Sequence, residues 1–474
     1  MTKAQLQRQL GLIPAIALVV GSVIGSSIFA KPATMAQLLP DPMWILGIWL
    51  LAGGLSLIGA MINAEIGSMF PETGGQFIYF KEMYGPRFAF VYGWSGLAVI
   101  NTAAVAAIAF VFAQYLSYFV NLPRFNPSIE KSFYVPLPMI GRLFPLENIG
   151  VKMTAIASVL VLTTFNHFSL KSSNQVQLFF TWLKVILLIL IIVIIFSSGQ
   201  GQWSNLLPTG RVTLSAAAIL AGVGALSGAF AAFDGWNNLS FVAGELKQPE
   251  KQIPRALWIG LLICFILYVG THLAFFFMLG TDKAAASTLI ATDAILPILG
   301  NAGAALIAVM VLVSTFGAVN GNTLACARLT FSMGENKDFY PWTGTVHPKY
   351  HTPSNALWLH AFVSILYIIS GSFDMLADLF VFVTWIFYGF GAYGLIILRK
   401  KYPNTPRPYS IKAYPFLPLI FVLFSALYAI ITIYSDITAY LKGETPVIKS
   451  ILGLSIIFYG LILYHWKSKQ WASA

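Results

Sequence analysis

Long apolar segments separated by short polar segments repeat along the whole chain. Each apolar segment holds about 20 residues, the length that an α-helix needs to cross the hydrocarbon layer of a membrane. The pattern predicts an all-α integral membrane protein with twelve membrane-spanning helices. The predicted limits are about 12–36, 43–70, 86–120, 151–167, 174–197, 213–243, 254–280, 297–333, 355–371, 374–398, 413–434 and 448–466.

Composition agrees with this pattern. Of the 474 residues, 58% are hydrophobic and only 9% are charged, whereas a soluble globular protein has about 25% charged residues. The polar start MTKAQLQRQLG leads into a full-length span without a cleavage site of small residues, which predicts a retained first helix instead of a signal peptide. The connections are too short for a separate soluble domain, so we expect a single transmembrane domain over 1–474.

The positive charges predict the orientation. The net charge is +11, but the cations lie in loops between spans, so the charge does not indicate a nucleic-acid partner. Most of the 28 Lys and Arg residues fall on the side of the N-terminus, above all the group after the tenth span. The positive-inside rule therefore places both termini in the cytoplasm of a multi-pass protein of the cell membrane. That group is Arg399, Lys400, Lys401, Arg407 and Lys412.

No residue pattern predicts a cofactor or a metal site. Cys264 and Cys326 are the only cysteines, and both fall within predicted spans. His272 and His360 also lie in spans, without a second ligand at metal-binding spacing. We expect packed or hydrogen-bonded histidines, no disulfide and no metal.

Two predicted spans contain residues that weaken a helix. The first contains GSVIGSSIF from Gly21 to Phe29, and the sixth contains GVGALSGAFAAFDGWNN from Gly222 onward. Glycine costs about 1 kcal/mol relative to alanine within a helix. Interrupted spans five helices apart are typical of inverted repeats with a binding site between them. We expect repeats at about 12–197 and 213–398, followed by two extra helices at about 413–466.

Interrupted helices expose backbone groups that a substrate can use. Free N–H groups of Ser26, Ser27 and Ile28 would begin a half-helix, whose positive end suits a carboxylate. Carbonyls near Val23 and in the sixth span would accept from an ammonium group. Together these groups fit an amino acid. Small residues could instead only permit close helix packing, but two interruptions at symmetric positions favour a binding site.

At this point the chain resembles a known family, the amino acid–polyamine–organocation superfamily, and within it the bacterial branch of the L-type amino acid transporters. GSVIGSSIF matches the family pattern G-x-x-x-G-S-G-I-F. AEIGSMFPETGGQFIYFKEMYGPRFAFVYGW, FDGWNN, ELKQPEKQIPRA, STFGAVNG, ARLTFSMGENKDFYP and RPYSIKAYPFLP are similar to further family elements in the same order. The resemblance covers nearly the whole chain.

The resemblance implies a leucine-transporter-type architecture and alternating-access transport of amino acids, often by exchange (antiport). It implies that backbone groups of both interrupted helices bind the substrate, with a pocket residue from the third helix. The implied substrate-binding residues are Val23, Gly25, Ser26, Ser27, Ile28, Asn101, Phe230, Ala231, Phe233 and Asp234.

The chain departs from the family pattern at two of these positions. Ser27 replaces the second motif glycine, so a hydroxymethyl group is added where the backbone approaches the substrate. Ala231 stands where relatives commonly have a bulky aromatic gate, with Phe230 and Phe233 nearby. The identity of the substrate therefore stays open.

Lys184 lies deep within the fifth predicted span. Ten residues from Asn174 correspond to about 15 Å of helix, roughly half the hydrocarbon thickness, and a lysine there costs at least about 2.5–3.5 kcal/mol. The resemblance implies that its ammonium replaces a structural cation between the first and eighth helices, near Ser314 and Thr315. We therefore expect sodium-independent transport, while coupling to protons stays open.

The acidic residues at the interruptions favour a neutral substrate. Asp234 is the only acidic residue at the two interruptions. We favour a role as a cap of the broken sixth helix over direct binding of the substrate. Neutral L-amino acids are therefore expected, with cationic amino acids or polyamines as the alternative if Asp234 faces the pocket. Glu65 is expected to pair with loop cations.

Other function classes find less support. The chain has no HExxH or GxSxG motif and no paired carboxylates within spans that would indicate an enzyme. It has no repeated filter sequence that would indicate a channel. A transporter-like amino acid sensor stays open, as do the amino acid carried, the coupling mode and the oligomeric state.

Overall fold

The computed structural model describes residues 10–72, 74–168 and 173–472, with side chains for all of these except 173–177 and 468–472. Most of the described chain is helical. The helices of its first part are α1 (Leu12–Val23), α2 (Ser27–Leu38), α3 (Pro42–Met69), α4 (Gln76–Tyr84), α5 (Pro86–Ser95), α6 (Asn101–Leu116), α7 (Pro127–Ser132), α8 (Ile149–Phe168) and α9 (Ser173–Ser197).

The second part of the chain continues in the same way, and the strands β1 (Val135–Leu137) and β2 (Gly141–Leu143) form a hairpin between α7 and α8. The helices of the second part are α10 (Ala216–Phe233), α11 (Asn238–Phe241), α12 (Pro249–Ala286), α13 (Ile290–Glu335), α14 (Ser354–Ser370), α15 (Phe373–Lys401), α16 (Phe416–Leu441) and α17 (Lys449–Ala472).

Eleven helical segments of the described chain are long and apolar enough to cross a membrane. They confirm the helical membrane fold. The predicted ninth span corresponds to α14, an apolar helix of 17 residues, which is shorter than the others. The count of twelve crossings therefore stays a prediction.

Both predicted interruptions are confirmed. In the first span, α1 ends at Val23 and α2 begins at Ser27. The sixth span ends α10 at Phe233, passes through a turn, and continues in the four-residue helix α11. Its second half is thus much shorter than that of the first span.

The seventh and eighth spans are longer than predicted because each joins a short additional helix to the main one at a glycine with non-helical backbone. Gly280 in α12 has a φ of 68°, and Gly300 in α13 has a φ of 63°. Such backbone suits glycine, which has no Cβ to clash. The helical residues added at these glycines are 281–286, after the bend of α12, and 290–296, before the bend of α13, where the sequence pattern predicted a loop.

Close packing of α3 and α12 forms the interior beside the interrupted helices. At Gly53 of α3, an added Cβ would lie 2.2 Å from the ring of Phe265 and 3.0 Å from that of Phe233. Small residues permit such close approach between membrane helices. The glycines of α3 thus let bulky residues of α10 and α12 reach the interior.

We name the two ends of the helix bundle by the first span: the α1 face, where α1 begins, and the α2 face, where α2 ends. On the α1 face, Leu10 exchanges backbone hydrogen bonds with Glu245 and Lys247 at 2.9 and 3.0 Å. Buried Glu65 accepts two hydrogen bonds of 2.8 Å from Arg399. The predicted pairing of Glu65 with loop cations is confirmed.

On the α2 face, the β1–β2 hairpin packs against the connection between α16 and α17. The N–H of Arg142 donates to the carbonyl of Pro446 at 2.8 Å, and the N–H of Ile448 donates to that of Ile140 at 2.9 Å. This long loop is therefore fastened to the last two helices.

Candidate functional site

The first interruption exposes backbone donors at the start of α2. Ser26, Ser27 and Ile28 are buried, at 1%, 7% and 0% exposure. Within the described chain, no hydrogen bond from the N–H group of any of the three is found. A buried, unpaired N–H costs about 1–3 kcal/mol, so a ligand that accepts from these groups is expected. The helix end also favours a negative charge there.

The sixth interruption exposes backbone acceptors at the end of α10. The carbonyls of Ala231 and Phe233 accept no hydrogen bond from the described residues. The carboxyl end of a helix carries partial negative charge and therefore favours a cation. The start of α2 and the end of α10 thus offer opposite partial charges, as the zwitterion of an α-amino acid requires.

Tyr268 of α12 joins these two ends. Its buried hydroxyl lies 2.8 Å from the carbonyl oxygen of Val23 and 3.0 Å from that of Ala232. The carbonyl of Val23 also accepts from the N–H of Gly25 at 2.7 Å. Both lone pairs of the Val23 carbonyl are therefore engaged, and the carbonyls at the end of α10 are the freer acceptors for an ammonium group.

A glycine lets the two interruptions touch. Gly235 has a φ of 104°, and a Cβ added to it would lie 2.7 Å from the carbonyl oxygen of Ser22. A side chain at this position would both strain the backbone and collide with the first span. FDGWNN therefore needs glycine at this position.

Lys184 of α9 reaches the first interruption. Its side chain is 1% exposed, and its Nζ donates to the carbonyl oxygens of Gly21 at 3.1 Å and Ile24 at 2.9 Å. These two carbonyls have lost helical partners at the end of α1. The ammonium group thus supplies charge and donors where the helix is broken.

The expected bridge from Lys184 to the eighth span is only partly visible. Ser314 and Thr315 of α13 are fully buried. The hydroxyl of Thr315 donates to its own helix, at Val311 and Leu312, while that of Ser314 has no partner among the described residues. Lys184 is thus held by the first span, and its link to α13 stays a prediction.

Asp234 has a different role from the expected one. The residue that precedes α11 as its N-cap is Asn237, so Asp234 does not cap that helix. Instead, its carboxylate accepts a hydrogen bond of 2.7 Å from the hydroxyl of Tyr388 in α15. The ring of Tyr388 packs on Trp236 at 4.7 Å between centroids. Asp234 therefore ties the sixth interruption to α15.

The two phenylalanines near Ala231 pack into separate aromatic groups. Phe230 stacks on Trp385 with ring centroids 3.6 Å apart, and Phe233 packs edge-on against Tyr268 at 5.0 Å. Both are buried, whereas Ala231 is partly exposed. Phe230 and Phe233 thus pack into the interior of the bundle. The small side chain of Ala231, which replaces the aromatic gate of relatives, leaves space at the end of α10.

Asn101 begins α6 directly after a π-helical turn at Gly96–Ile100. Such turns are frequent at functional sites because they redirect one residue of a helix. The Nδ2 of Asn101 is buried without a partner among the described residues. The third span therefore offers a free donor, and its place in a substrate pocket stays a prediction.

The larger cavities of the site region open toward the α2 face. One, of about 470 Å³, is lined by residues of α2, α10 and α15 and by residues of α16, α17 and their connection, and we name it the α10 cavity. Another of about 470 Å³ lies between α2 and α6. On the α1 face, the cavity between Asn63, Gln76, Tyr79 and Tyr388 measures about 10 Å³, room for about one water.

Sequence patterns gave little indication of three groups at the site. Tyr268 and Tyr388 are single tyrosines within apolar spans, and only the need of a buried hydroxyl for a partner could have indicated them. A paired-carboxylate pattern was not expected, yet Asp374 and Asp378 stand one turn apart at the start of α15. Both lie within 4 Å of Lys31.

Comparison with known proteins extends this description. A family model described as amino acid permease matches residues 10–462. The chain is 30% identical to the serine/threonine exchanger SteT of Bacillus subtilis, over 99% of this chain and 98% of that protein. It is 29% identical to the human cystine/glutamate transporter, over 92% and 82%. It is 30% identical to the mouse large neutral amino acids transporter small subunit 2, over 98% and 82%.

Proposed function

This chain belongs to the amino acid permease family, and we propose that it moves neutral L-amino acids across the cell membrane by alternating access, as an exchanger or permease. The observation that carries this proposal is the pair of opposed helix ends. The buried N–H groups of Ser26, Ser27 and Ile28 would bind the carboxylate of the substrate, and the carbonyls of Ala231 and Phe233 would bind its ammonium group.

Three relatives support amino acid transport as the activity. They are a serine/threonine exchanger, a cystine/glutamate transporter and a transporter of large neutral amino acids. These substrates share the α-amino and α-carboxyl groups and differ in the side chain. The shared groups match the backbone donors and acceptors of the two interruptions, and the side chain is left to the surrounding pocket.

The hydrogen bond that Asp234 already accepts favours a substrate with a neutral side chain. The carboxylate of Asp234 accepts from Tyr388 at 2.7 Å, so binding a cationic side chain would require it to share or break that bond. A cationic amino acid is the second candidate, because Asp234 lies directly after the end of α10.

Transport without sodium is supported by Lys184. Its ammonium group already lies 3.1 and 2.9 Å from two carbonyls of the first interruption. A sodium ion at the same carbonyls would have to displace the side-chain nitrogen of Lys184, which already occupies that position and donates to both oxygens.

The loop cations support a cytoplasmic α1 face. Arg399 lies in the last turn of α15 and Arg407 lies beyond its end, both on that face beside Glu65. The positive-inside rule places such loops in the cytoplasm. We further propose that residues of about 12–197 and 213–398 form two inverted repeats, with α16 and α17 outside them.

Counterflow with the purified protein in liposomes tests the proposal. Liposomes loaded with one unlabelled amino acid are placed in choline buffer with a labelled one outside. We expect accumulation of labelled serine, threonine, alanine or leucine, with weak competition by arginine and lysine. Strong competition by arginine and lysine, with none by the neutral amino acids, would favour the second candidate.

A further inference from the structure

Five charged side chains form one network on the α2 face. Lys31 lies 2.7 Å from Asp374 and 3.5 Å from Asp378, measured from Nζ to a carboxylate oxygen. Lys449 lies 2.7 Å from Asp378 and 3.7 Å from Asp436. Asp378 is thus shared by two lysines, one on α2 and one at the start of α17.

Asp378 connects the α2-face halves of both interrupted spans. Besides the ion pair with Lys31 of α2, its Oδ1 accepts a hydrogen bond of 2.9 Å from the hydroxyl of Ser227 in α10. Ser227 and Lys31 line the α10 cavity, and so does Asp374. The side chain of Lys31 is 5% exposed, so its charge depends on these carboxylates.

Widening the α10 cavity would separate these charges. Any movement of α2 away from α15 takes Lys31 from Asp374 and Asp378, and a buried cation that loses its partners is strongly disfavoured. We name Lys31, Asp374 and Asp378 the α2 latch. Its strength sets how readily the cavity opens.

Lys449 weakens the attraction between Lys31 and the two carboxylates of the latch. Its charge partly neutralises Asp378, and it also repels Lys31, since like charges repel across a partly buried region. Both effects weaken the hold of the carboxylates on Lys31. Without Lys449, Lys31 would face two carboxylates alone and leave them less readily.

We propose that Lys449 is a positioning residue that acts through Asp378 to keep the α2 latch releasable. This gives α16 and α17, the two helices that we place outside the repeats, a defined part in the opening of the α2 face. The link to transport rests on the proposed function, but the latch itself can be measured without transport.

A single reporter cysteine tests the latch. Met35 of α2 is 1% exposed and lines the α10 cavity, so Met35→Cys becomes reactive only when the cavity widens. The buried Cys264 and Cys326 are replaced by alanine, and the protein in nanodiscs is treated with a water-soluble maleimide. Asp374→Asn is expected to raise the labelling rate about fivefold or more, and Lys449→Met to lower it by a similar factor.

Two further variants serve as controls. Lys442→Met removes another lysine of the α10 cavity, for which no ion pair is found in the described chain, and it should leave the rate unchanged. Asp436→Asn releases Lys449 to Asp378 and should raise the rate. Asp436→Asn also provides a loosening variant should Asp374→Asn fold poorly.

The two directions decide the outcome. Opposite shifts in Asp374→Asn and Lys449→Met support the proposal. A rise in both variants would show that the charges only hold helices together, and an unchanged rate in Lys449→Met would show that it does not act on the latch; either result overturns the proposal. Opposite shifts in a protein that shows no counterflow would keep the latch and reject the transport function.

Discussion

Replacing Lys184 by methionine tests the link between the broken first helix and sodium-independent transport. Methionine has a similar length but no ammonium group, so the carbonyls of Gly21 and Ile24 lose the donor at 3.1 and 2.9 Å. Each buried, unpaired carbonyl costs about 1–3 kcal/mol. The two unpaired carbonyls together therefore destabilise the conformation in which both point into the interior by about 2–6 kcal/mol.

That cost translates into a large loss of the binding-competent state. A difference of about 1.4 kcal/mol is a factor of ten, so even the lower estimate reduces the population of this conformation more than tenfold. We expect Lys184→Met to lose at least about 90% of counterflow in choline buffer. The variant should still insert into the membrane, because the replacement is apolar.

A matched control separates this effect from general destabilisation. Lys152 of α8 is also buried and donates to the carbonyls of Phe144 at 2.8 Å and Ile369 at 3.0 Å, at the α2 face. Lys152→Met should lower thermal stability comparably but keep the KM for counterflow. Unchanged rate and KM in Lys184→Met would refute the reasoning, and so would a wild type that transports only in sodium.

Three further predictions concern the same region. Ser27→Gly should keep transport and Ser27→Leu should abolish it, because a larger side chain blocks the N–H groups at the start of α2; equal activity of both in counterflow would contradict this site. Tyr268→Phe should raise the KM about tenfold, since the bridge between the two interruptions is lost, and an unchanged KM would contradict that role. Glu65→Gln should lower the thermal stability of the detergent-solubilised protein through its lost pair with Arg399, while the KM stays the same; a changed KM with unchanged stability would place Glu65 in the pathway instead.

Local sequence was sufficient to predict the interruptions. Gly21, Gly25 and three serines within nine residues weaken a regular helix, and the interruption at Ile24–Ser26 lies among them. Gly280 and Gly300 were less informative, because each bends a helix that then continues. An isolated glycine does not reveal whether a helix ends or only turns.

The contacts that complete the site could not be predicted, because they join distant parts of the chain. Tyr268 meets Val23 across 245 residues, and Lys31 meets Asp374 across 343. Periodicity describes which face of a helix is apolar, but it does not say which helices become neighbours. The same limit applies to Asp234, whose partner Tyr388 lies 154 residues away.

The central claim is that the two interrupted helices recognise both ends of an α-amino acid through their backbones. Competition in counterflow tests it most directly, with a neutral amino acid, its methyl ester, its N-acetyl derivative and its decarboxylated amine. The account predicts that the unmodified amino acid competes, and that each derivative competes at least about tenfold more weakly, because a charged group at one helix end is lost. Equal competition by the methyl ester or the N-acetyl derivative would contradict it.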